Sequence, residues 1–125
     1  MGFNQYLPKL RVRNQSRGTL LADCADIADT SKKRRTGLLK HTGLEPGEGL
    51  WIAPCEAVHT AGMKFPIDVL FLDRKRKVLK VRSSMQRWRI AACLRAHSVL
   101  ELPSGTAAAT ETMVGDQLEF EKYDG

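Results

Sequence analysis

The apolar run Ile67-Asp68-Val69-Leu70-Phe71-Leu72 is the feature that most constrains the fold of this chain. Its apolar residues do not alternate with polar ones, which predicts a β-strand that is covered on both faces. A polar, glycine-containing segment, residues 59–66, leads directly into it. A rigid strand can hold the side chains of its entry loop at the mouth of a pocket, so we look for a site at this junction.

Length and composition predict one globular domain with a core over about residues 9–122. A chain of 125 residues buries roughly two thirds of the surface that its unfolded form exposes. Shares of 42% hydrophobic and 27% charged residues are ordinary for such a domain. No apolar run approaches the ~20 residues that cross a membrane, and residues 1–13 do not resemble a secretory signal. Three widely spaced cysteines favour a reducing compartment, so we expect a cytoplasmic protein without a membrane partner.

The pattern of apolar residues and turn signals predicts a mainly β (α+β) fold. Seven strands are expected, at residues 9–13, 19–25, 50–53, 67–72, 78–82, 98–102 and 117–121. Two short helices are expected at about residues 31–41 and 104–113. Asp29, Thr30 and Ser31 are candidates for the N-cap of the first, and Ser104 caps the second. Hairpin spacing dominates and βαβ spacing is absent, which predicts a compact, mostly antiparallel barrel or sandwich. In residues 83–95, Trp88, Ile90 and Leu94 fit either a helix face or an edge strand.

The charge of the chain is unevenly distributed. The net charge is +6, and residues 74–95 hold nine Lys/Arg and no Asp/Glu. A basic surface attracts anions, including nucleic acid, and Trp88 between Arg87 and Arg89 could stack on a base. No nucleic-acid motif accompanies this single aromatic residue. We therefore favour a solvated face that is balanced by the acidic segment 101–125.

Three side chains near the junction are candidates for catalysis: His59, Cys55 and Asp68. An imidazole beside a carboxylate is an oriented base, and a thiol activated by an imidazole is a nucleophile. The alternative for Asp68 is structural, since a carboxylate entering a buried strand must be paired, and we favour backbone amides as its partners. No second ligand pair follows Cys55 and His59 at a spacing typical of zinc sites, so we expect neither a metal nor a cofactor.

A second set of residues is predicted to bind a small anionic or polar ligand. Its members are Arg34, Arg35, His59, Met63, Lys64, Asp68 and Glu101. Glu101 lies between Leu100 and Leu102, and if these leucines point inward, it should point to solvent or to a basic neighbour. Met63 fits an apolar pocket or simply the core.

Three segments resemble the family known as domain of unknown function 192. They are residues 28–39, with Arg34 at the arginine of an arginine-x-x-glycine-leucine pattern; the long central block 59–73; and residues 99–105 followed by 114–116. Together they span residues 10–121. Leu39 stands where methionine is common, and Ala61 replaces a usual aromatic residue. The resemblance implies a small, mainly β domain found chiefly in bacteria and archaea, and it implies no activity.

These observations leave three hypotheses for function, in this order. The first is a binding or accessory module with a small-ligand cleft near residues 59–68. The second is a hydrolase- or transferase-type enzyme that uses His59 with Cys55 or Asp68. The third is a nucleic-acid-associated protein that uses residues 74–95. The ligand, the oligomeric state and the pathway stay open.

Overall fold

The computed structural model describes residues 8–39 and 41–124, and they form a mainly β domain with 49% strand and 9% helix. The predicted fold class is confirmed. In chain order the elements are β1 (Pro8–Asn14), β2 (Thr19–Ala28), α1 (Ser31–Thr36), β3 (Glu48–Ile52), β4 (Ala57–His59), β5 (Ile67–Leu72), β6 (Val78–Met85), β7 (Ile90–Ala92), β8 (Ser98–Pro103), α2 (Thr106–Ala109) and β9 (Leu118–Asp124). Neither helix has the length or apolarity that crossing a bilayer would require, within the residues described.

Seven strands form one sheet in the order β6-β5-β8-β3-β2-β1-β9, and β4 pairs with β7 in a small second sheet. The predicted hairpins β1–β2 and β5–β6 are both present and antiparallel. The prediction that the chain has no βαβ unit is wrong, because β2 and β3 are parallel and α1 lies in the connection between them. A six-residue helix is too short to show the 3.6-residue periodicity of apolar residues by which the helix of a βαβ unit is recognised.

The large sheet is not closed into a barrel, contrary to that alternative of the prediction. Its edge strands β6 and β9 meet at one end, where Lys77 pairs with Gln117 in an isolated bridge. The Val78 amide donates to the Asp116 carbonyl at 2.9 Å, and the Leu118 amide donates to the Arg76 carbonyl at 3.0 Å. Hydrogen bonding between the edges is therefore local to this end.

Two hydrophobic cores lie on opposite faces of the large sheet, and β5 contributes to both. Leu70 and Leu72 pack into the first core, whereas Val69 and Phe71 pack into the second. Every residue of β5 is buried, which confirms the prediction of a strand covered on both faces. The second core is covered by residues from the small sheet and from the turn after α1, namely Val58, Ala91 and Leu38.

Both helices are shorter than predicted because backbone conformation ends them early. Thr30 caps α1, since its hydroxyl accepts the Lys33 amide at 3.2 Å, as expected for this segment. The helix ends at Gly37, whose φ of 49° and ψ of −132° suit glycine alone. Helix α2 follows Gly105, and Ser104 does not cap it. The Ser104 hydroxyl is instead hydrogen-bonded to the Ser84 hydroxyl at 2.6 Å.

The two strands of the small sheet were not predicted. β4 and β7 are each three residues long, too short for an alternating pattern to be recognised. Of the two alternatives for residues 83–95, the edge strand holds for Ile90 in β7, whereas Trp88 and Leu94 lie in turns. Trp88, Ile90 and Leu94 remain 68%, 76% and 80% exposed.

Candidate functional site

A cleft of about 350 Å³ lies between α1 and β4, above the second core. That volume is near the lower end of the range for small-molecule sites in proteins. Chemically useful side chains that line it are Arg34, Arg35, Cys55, His59, Met63 and Glu101. These residues come from separate parts of the chain, so the site exists only in the folded protein.

Glu101 lies in an interior strand of the large sheet and lines this cleft. In β8 it stands between Leu50 of β3 and Val69 of β5, both buried apolar residues. Only 6% of Glu101 is exposed, and no described residue donates a hydrogen bond to its carboxylate or forms an ion pair with it. Burial raises the pKa of this carboxyl to about 7.

The expectation that Glu101 points to solvent or to a basic neighbour is wrong, because this residue is buried and has no ion pair among the described residues. Leu100 and Leu102 do pack into the first core, but the opposite face of β8 is covered as well. The available signal was the lack of alternation in residues 99–102, which is the same signal that identified β5. A polar residue in a strand of that kind is buried whichever way it points.

Gly49 allows β3 to lie close to β8 beside Glu101. A Cβ atom at this position would lie 2.9 Å from the Glu101 carbonyl oxygen and 3.0 Å from a methyl carbon of Leu102. Contacts that short would separate the two strands. The glycine therefore helps to place the Glu101 carboxylate beneath the cleft.

Arg34 and Arg35 bring positive charge to the α1 side of the cleft. The half-buried Arg34 guanidinium donates weakly to the Asp29 carbonyl at 3.3 Å and to the Ser31 hydroxyl at 3.4 Å. Arg35 is exposed. Neither guanidinium is within 4.0 Å of a carboxylate among the described residues, whose ion pairs all involve other cations. Both arginines are therefore available to an anionic ligand.

His59 and Cys55 line the opposite side but do not form a catalytic pair. The exposed His59 has no side-chain hydrogen bond to any described residue. The Cys55 thiol donates to the Ala57 carbonyl at 3.2 Å, and burial is the main cause that raises its pKa. A thiol with a raised pKa is protonated near neutral pH, whereas a nucleophilic cysteine is a thiolate.

Asp68 lies on the opposite face of the sheet from the cleft. Its two oxygens accept the amides of Ser84, at 2.7 Å, and Ala107, at 2.8 Å. These bonds confirm the interpretation that Asp68 ties down backbone amides, and the structure does not bring it to His59. Lys64 is exposed and does not line the cleft. Met63 is buried in the second core and does line it.

A second cleft, of about 550 Å³, lies on the other side of α1. Its lining includes Asp26, whose carboxylate is already paired with Lys9. The described residues contain no group of three or more His, Cys, Asp or Glu side chains that could hold a metal ion. The cleft above Glu101 is thus the better candidate, because its buried carboxylate has no partner among the described residues.

Two cations of the basic segment 74–95 are engaged within the protein. Arg76 packs over the rings of Trp51 and Phe120 at 5.7 and 4.6 Å, and Lys80 donates to the Ala92 carbonyl at 2.8 Å. Trp88 and its neighbours Arg87 and Arg89 are exposed around the turn before β7. Arg74, Lys75, Lys77 and Arg95 are exposed as well. The segment therefore offers a nucleic acid one exposed aromatic residue and six exposed cations.

Two solved structures share this fold. A protein of unknown function from Novosphingobium aromaticivorans DSM 12444 is 24% identical, with a TM-score of 0.74 over 89% of this chain and 83% of its own. A protein from Sinorhizobium meliloti 1021, described as a candidate transcription regulator, is 21% identical, with a TM-score of 0.80 over 92% and 95% of the two chains. At these identities the likeness concerns the fold alone. No curated protein matches the chain.

The family assignment comes from the sequence. Residues 12–120 match the model of one family, described as Uncharacterized ACR, and this range contains all six of the cleft side chains named above. It also contains the central block that carried the resemblance. The chain therefore belongs to the domain of unknown function 192 family (DUF192).

Proposed function

We propose that this protein is a binding module whose cleft between α1 and β4 holds a small polar or anionic metabolite. The observation that carries the proposal is Glu101, a nearly buried carboxylate without a hydrogen-bond donor among the described residues, which lines an open cleft. Buried polar groups in folded proteins are almost always hydrogen-bonded. A group left without a protein partner in a cleft is a common mark of a binding site.

The arginines supply the second support. Arg34 and Arg35 line the same cleft and have no carboxylate partner among the described residues. A guanidinium binds carboxylate or phosphate with charge-assisted hydrogen bonds. Enzymatic chemistry by His59 with Cys55 or Asp68 is less well supported, because no hydrogen bond joins His59 to either.

The test is a two-dimensional amide NMR titration of the protein with pools of organic acids, amino acids and nucleotides. We expect at least one compound to shift the amides of Gly37, Val58 and His59. Combining Arg34→Gln with Arg35→Gln should weaken that binding by about tenfold or more. The matched control combines Arg87→Gln with Arg89→Gln, outside the cleft, and should leave binding unchanged. Pools that shift no cleft amide, or an equal loss in the control, would refute the proposal.

A second candidate is binding of single-stranded nucleic acid at Trp88, Arg87 and Arg89. It is favoured by the 68% exposure of this tryptophan between two exposed arginines, and by the regulator description of the Sinorhizobium meliloti protein. Fluorescence anisotropy with labelled oligonucleotides at low salt tests it. Binding should weaken steeply with salt and be lost in Arg87→Glu with Arg89→Glu. If no oligonucleotide binds at low salt, the idea fails.

We also propose that the protein works in the cytosol of a prokaryote. The support is that Cys24, Cys55 and Cys93 are all free thiols, which suits a reducing compartment. Fractionation of cells that produce the tagged protein from its natural gene tests this, and recovery outside the cytosol would refute it.

A further inference from the structure

The cleft contains charges of both signs that do not neutralise each other. Glu101 lies in β8, while Arg34 and Arg35 lie on α1, and all three line the same space. Neither arginine comes within 4.0 Å of the Glu101 carboxylate, since the ion pairs of the described residues involve other partners. A molecule that fills the cleft therefore meets an acceptor on the β8 side and donors on the α1 side.

Among the described residues, the surroundings of Glu101 provide no hydrogen-bond donor. Its cross-strand neighbours Leu50 and Val69 are apolar, and the adjoining lining includes Ile52 and Met63. Burial without compensation disfavours the charged form, and the pKa of about 7 reflects this. With no donor among the described residues, the carboxylate is open to a donor that enters the cleft.

A ligand with a single kind of charge would satisfy one side and oppose the other. A simple anion on the arginines would leave Glu101 without a donor, and a simple amine on Glu101 would be repelled by Arg34 and Arg35. A molecule with a cationic end and an anionic end, joined by a short apolar link, satisfies both. The apolar link would contact apolar side chains that line the same cleft, namely Leu38, Val58 and Met63.

We infer that the ligand of this cleft is an amphoteric amino-carboxylate, with its ammonium group on Glu101 and its carboxylate on Arg34 and Arg35. This inference rests on the proposed function and specifies the ligand class of the same site. The carboxylate receives charge-assisted hydrogen bonds from the guanidinium groups. The ammonium donates to the Glu101 carboxylate, which is buried and has no partner among the described residues.

The test compares matched probes that differ in one end only. β-Alanine, γ-aminobutyrate and δ-aminovalerate are compared with propionate, butyrate and valerate, and with butylamine, by NMR titration at pH 8. We expect at least one amino acid of the series to bind about tenfold or more tightly than its matched acid and than butylamine. Glu101→Gln should remove that difference, leaving binding of the simple acid within about threefold.

The pH dependence of ligand binding distinguishes this inference from an alternative in which protonated Glu101 donates a hydrogen bond to a simple anion. The titratable and charged groups that face the cleft are Arg34 and Arg35 from α1, Cys55, His59 of β4 and Glu101 itself. Amino-carboxylate binding should weaken as the pH falls below about 7, and Glu101→Gln should abolish the part of the profile that comes from this carboxyl. His59 is present in both the natural protein and Glu101→Gln. The difference between their pH profiles of binding therefore excludes the contribution of His59.

The outcomes of the probe series distinguish failure of the inferred ligand class from failure of the proposed binding module. If a simple acid binds as tightly as its amino counterpart, and Arg34 and Arg35 are required, the binding module stands and the amphoteric ligand is refuted. If no member of the series shifts a cleft amide, the ligand class is refuted, while the broader pools still test the module. Thermal unfolding of Glu101→Gln, whose side chain keeps the shape of glutamate, checks that any loss of binding is not a loss of fold.

Discussion

At the scale of single residues, Glu101 is buried and its carboxylate has no hydrogen-bond donor among the described residues. Burial disfavours its charged form, and the missing donor leaves the carboxylate available to a ligand. Glu101 lies in the interior strand β8 with 6% exposure, and burial, with no donor among the described residues, raises its pKa to about 7. The folded protein therefore holds a proton on this group at pH values where the unfolded chain, with a pKa near 4.5, has lost it. Release of this proton from the folded state therefore lowers the free energy of unfolding.

This argument predicts how Glu101→Gln changes stability with pH. Between about pH 4.5 and 7 the folded state binds more protons than the unfolded state, so stability falls as pH rises through this window. The variant lacks this loss, and its stability relative to the natural protein should increase by roughly 3 kcal/mol at most between pH 4 and pH 8. Urea unfolding across this range measures it.

The control for that series is Glu119→Gln, which changes an exposed carboxyl in β9. Its stability difference from the natural protein should not vary by more than a few tenths of a kcal/mol over the same range. If Glu101→Gln shows an equally flat difference, the Glu101 carboxyl is solvated and the argument from burial fails.

At the scale of elements, Asp68 joins three parts of the fold. It belongs to β5, and its two oxygens accept the amide of Ser84 in β6 and the amide of Ala107 in α2. Ser84 has a φ of 48°, an unusual conformation for a residue with a side chain. The carboxylate thus holds in place both a strained point of β6 and the start of α2.

Removal of this carboxylate should loosen both elements. Asp68→Ala leaves two amides without their acceptor, one of them buried, and we expect a loss of roughly 2–5 kcal/mol in unfolding free energy. Asp68→Asn keeps one acceptor oxygen and should lose about half as much. Urea unfolding gives the values, and faster amide exchange at Ser84 and Ala107 locates the effect.

The same variants test whether Asp68 works with His59. Because Asp68 faces the first core and His59 lines the cleft, the ring signals of His59 should not move in Asp68→Asn. A clear shift of those signals, or a stability loss below about 0.5 kcal/mol in Asp68→Ala, would contradict the structural role.

For the whole molecule, the arrangement of two cores on one sheet predicts how stability is distributed. β5 and β8 lie in the interior of the sheet, and their residues pack into both cores. The small sheet of β4 and β7 covers the second core with few buried residues of its own, among them Val58 and Ala91. Local opening should therefore begin in the small sheet, beside the cleft.

Hydrogen exchange followed by NMR checks this distribution. The amides of Leu70 and Leu100 should exchange only through global unfolding. The amides of Val58 and Ala91 should exchange through local opening, with a free energy at least about 2 kcal/mol lower. A ligand of the cleft should slow exchange in the small sheet more than in β5. Equal protection of β5 and the small sheet without ligand would contradict this view.

Much of the fold could be predicted from local pattern, and the site could be predicted only in part. Continuous burial of β5, the two hairpins and the cap at Thr30 each depend on residues close together in the chain. Arg34, Arg35, His59, Met63 and Glu101 were candidate ligand residues, and all five line one cleft. Asp68 and Lys64 do not, since strand direction and the layout of the loop decide where they point.

What the sequence determined by itself was the kind of structure: strands, turns, caps and the presence of a strand buried on both sides. These follow from steric preference and from hydrophobic alternation, which act over a few residues. Tertiary structure alone decided that β2 and β3 run parallel, that β4 and β7 pair, and that Glu101 is enclosed beside Arg34 and Arg35. The local pattern of residues 99–102 indicates that Glu101 is covered, but which distant segments cover it depends on the tertiary structure, and these segments determine its desolvation.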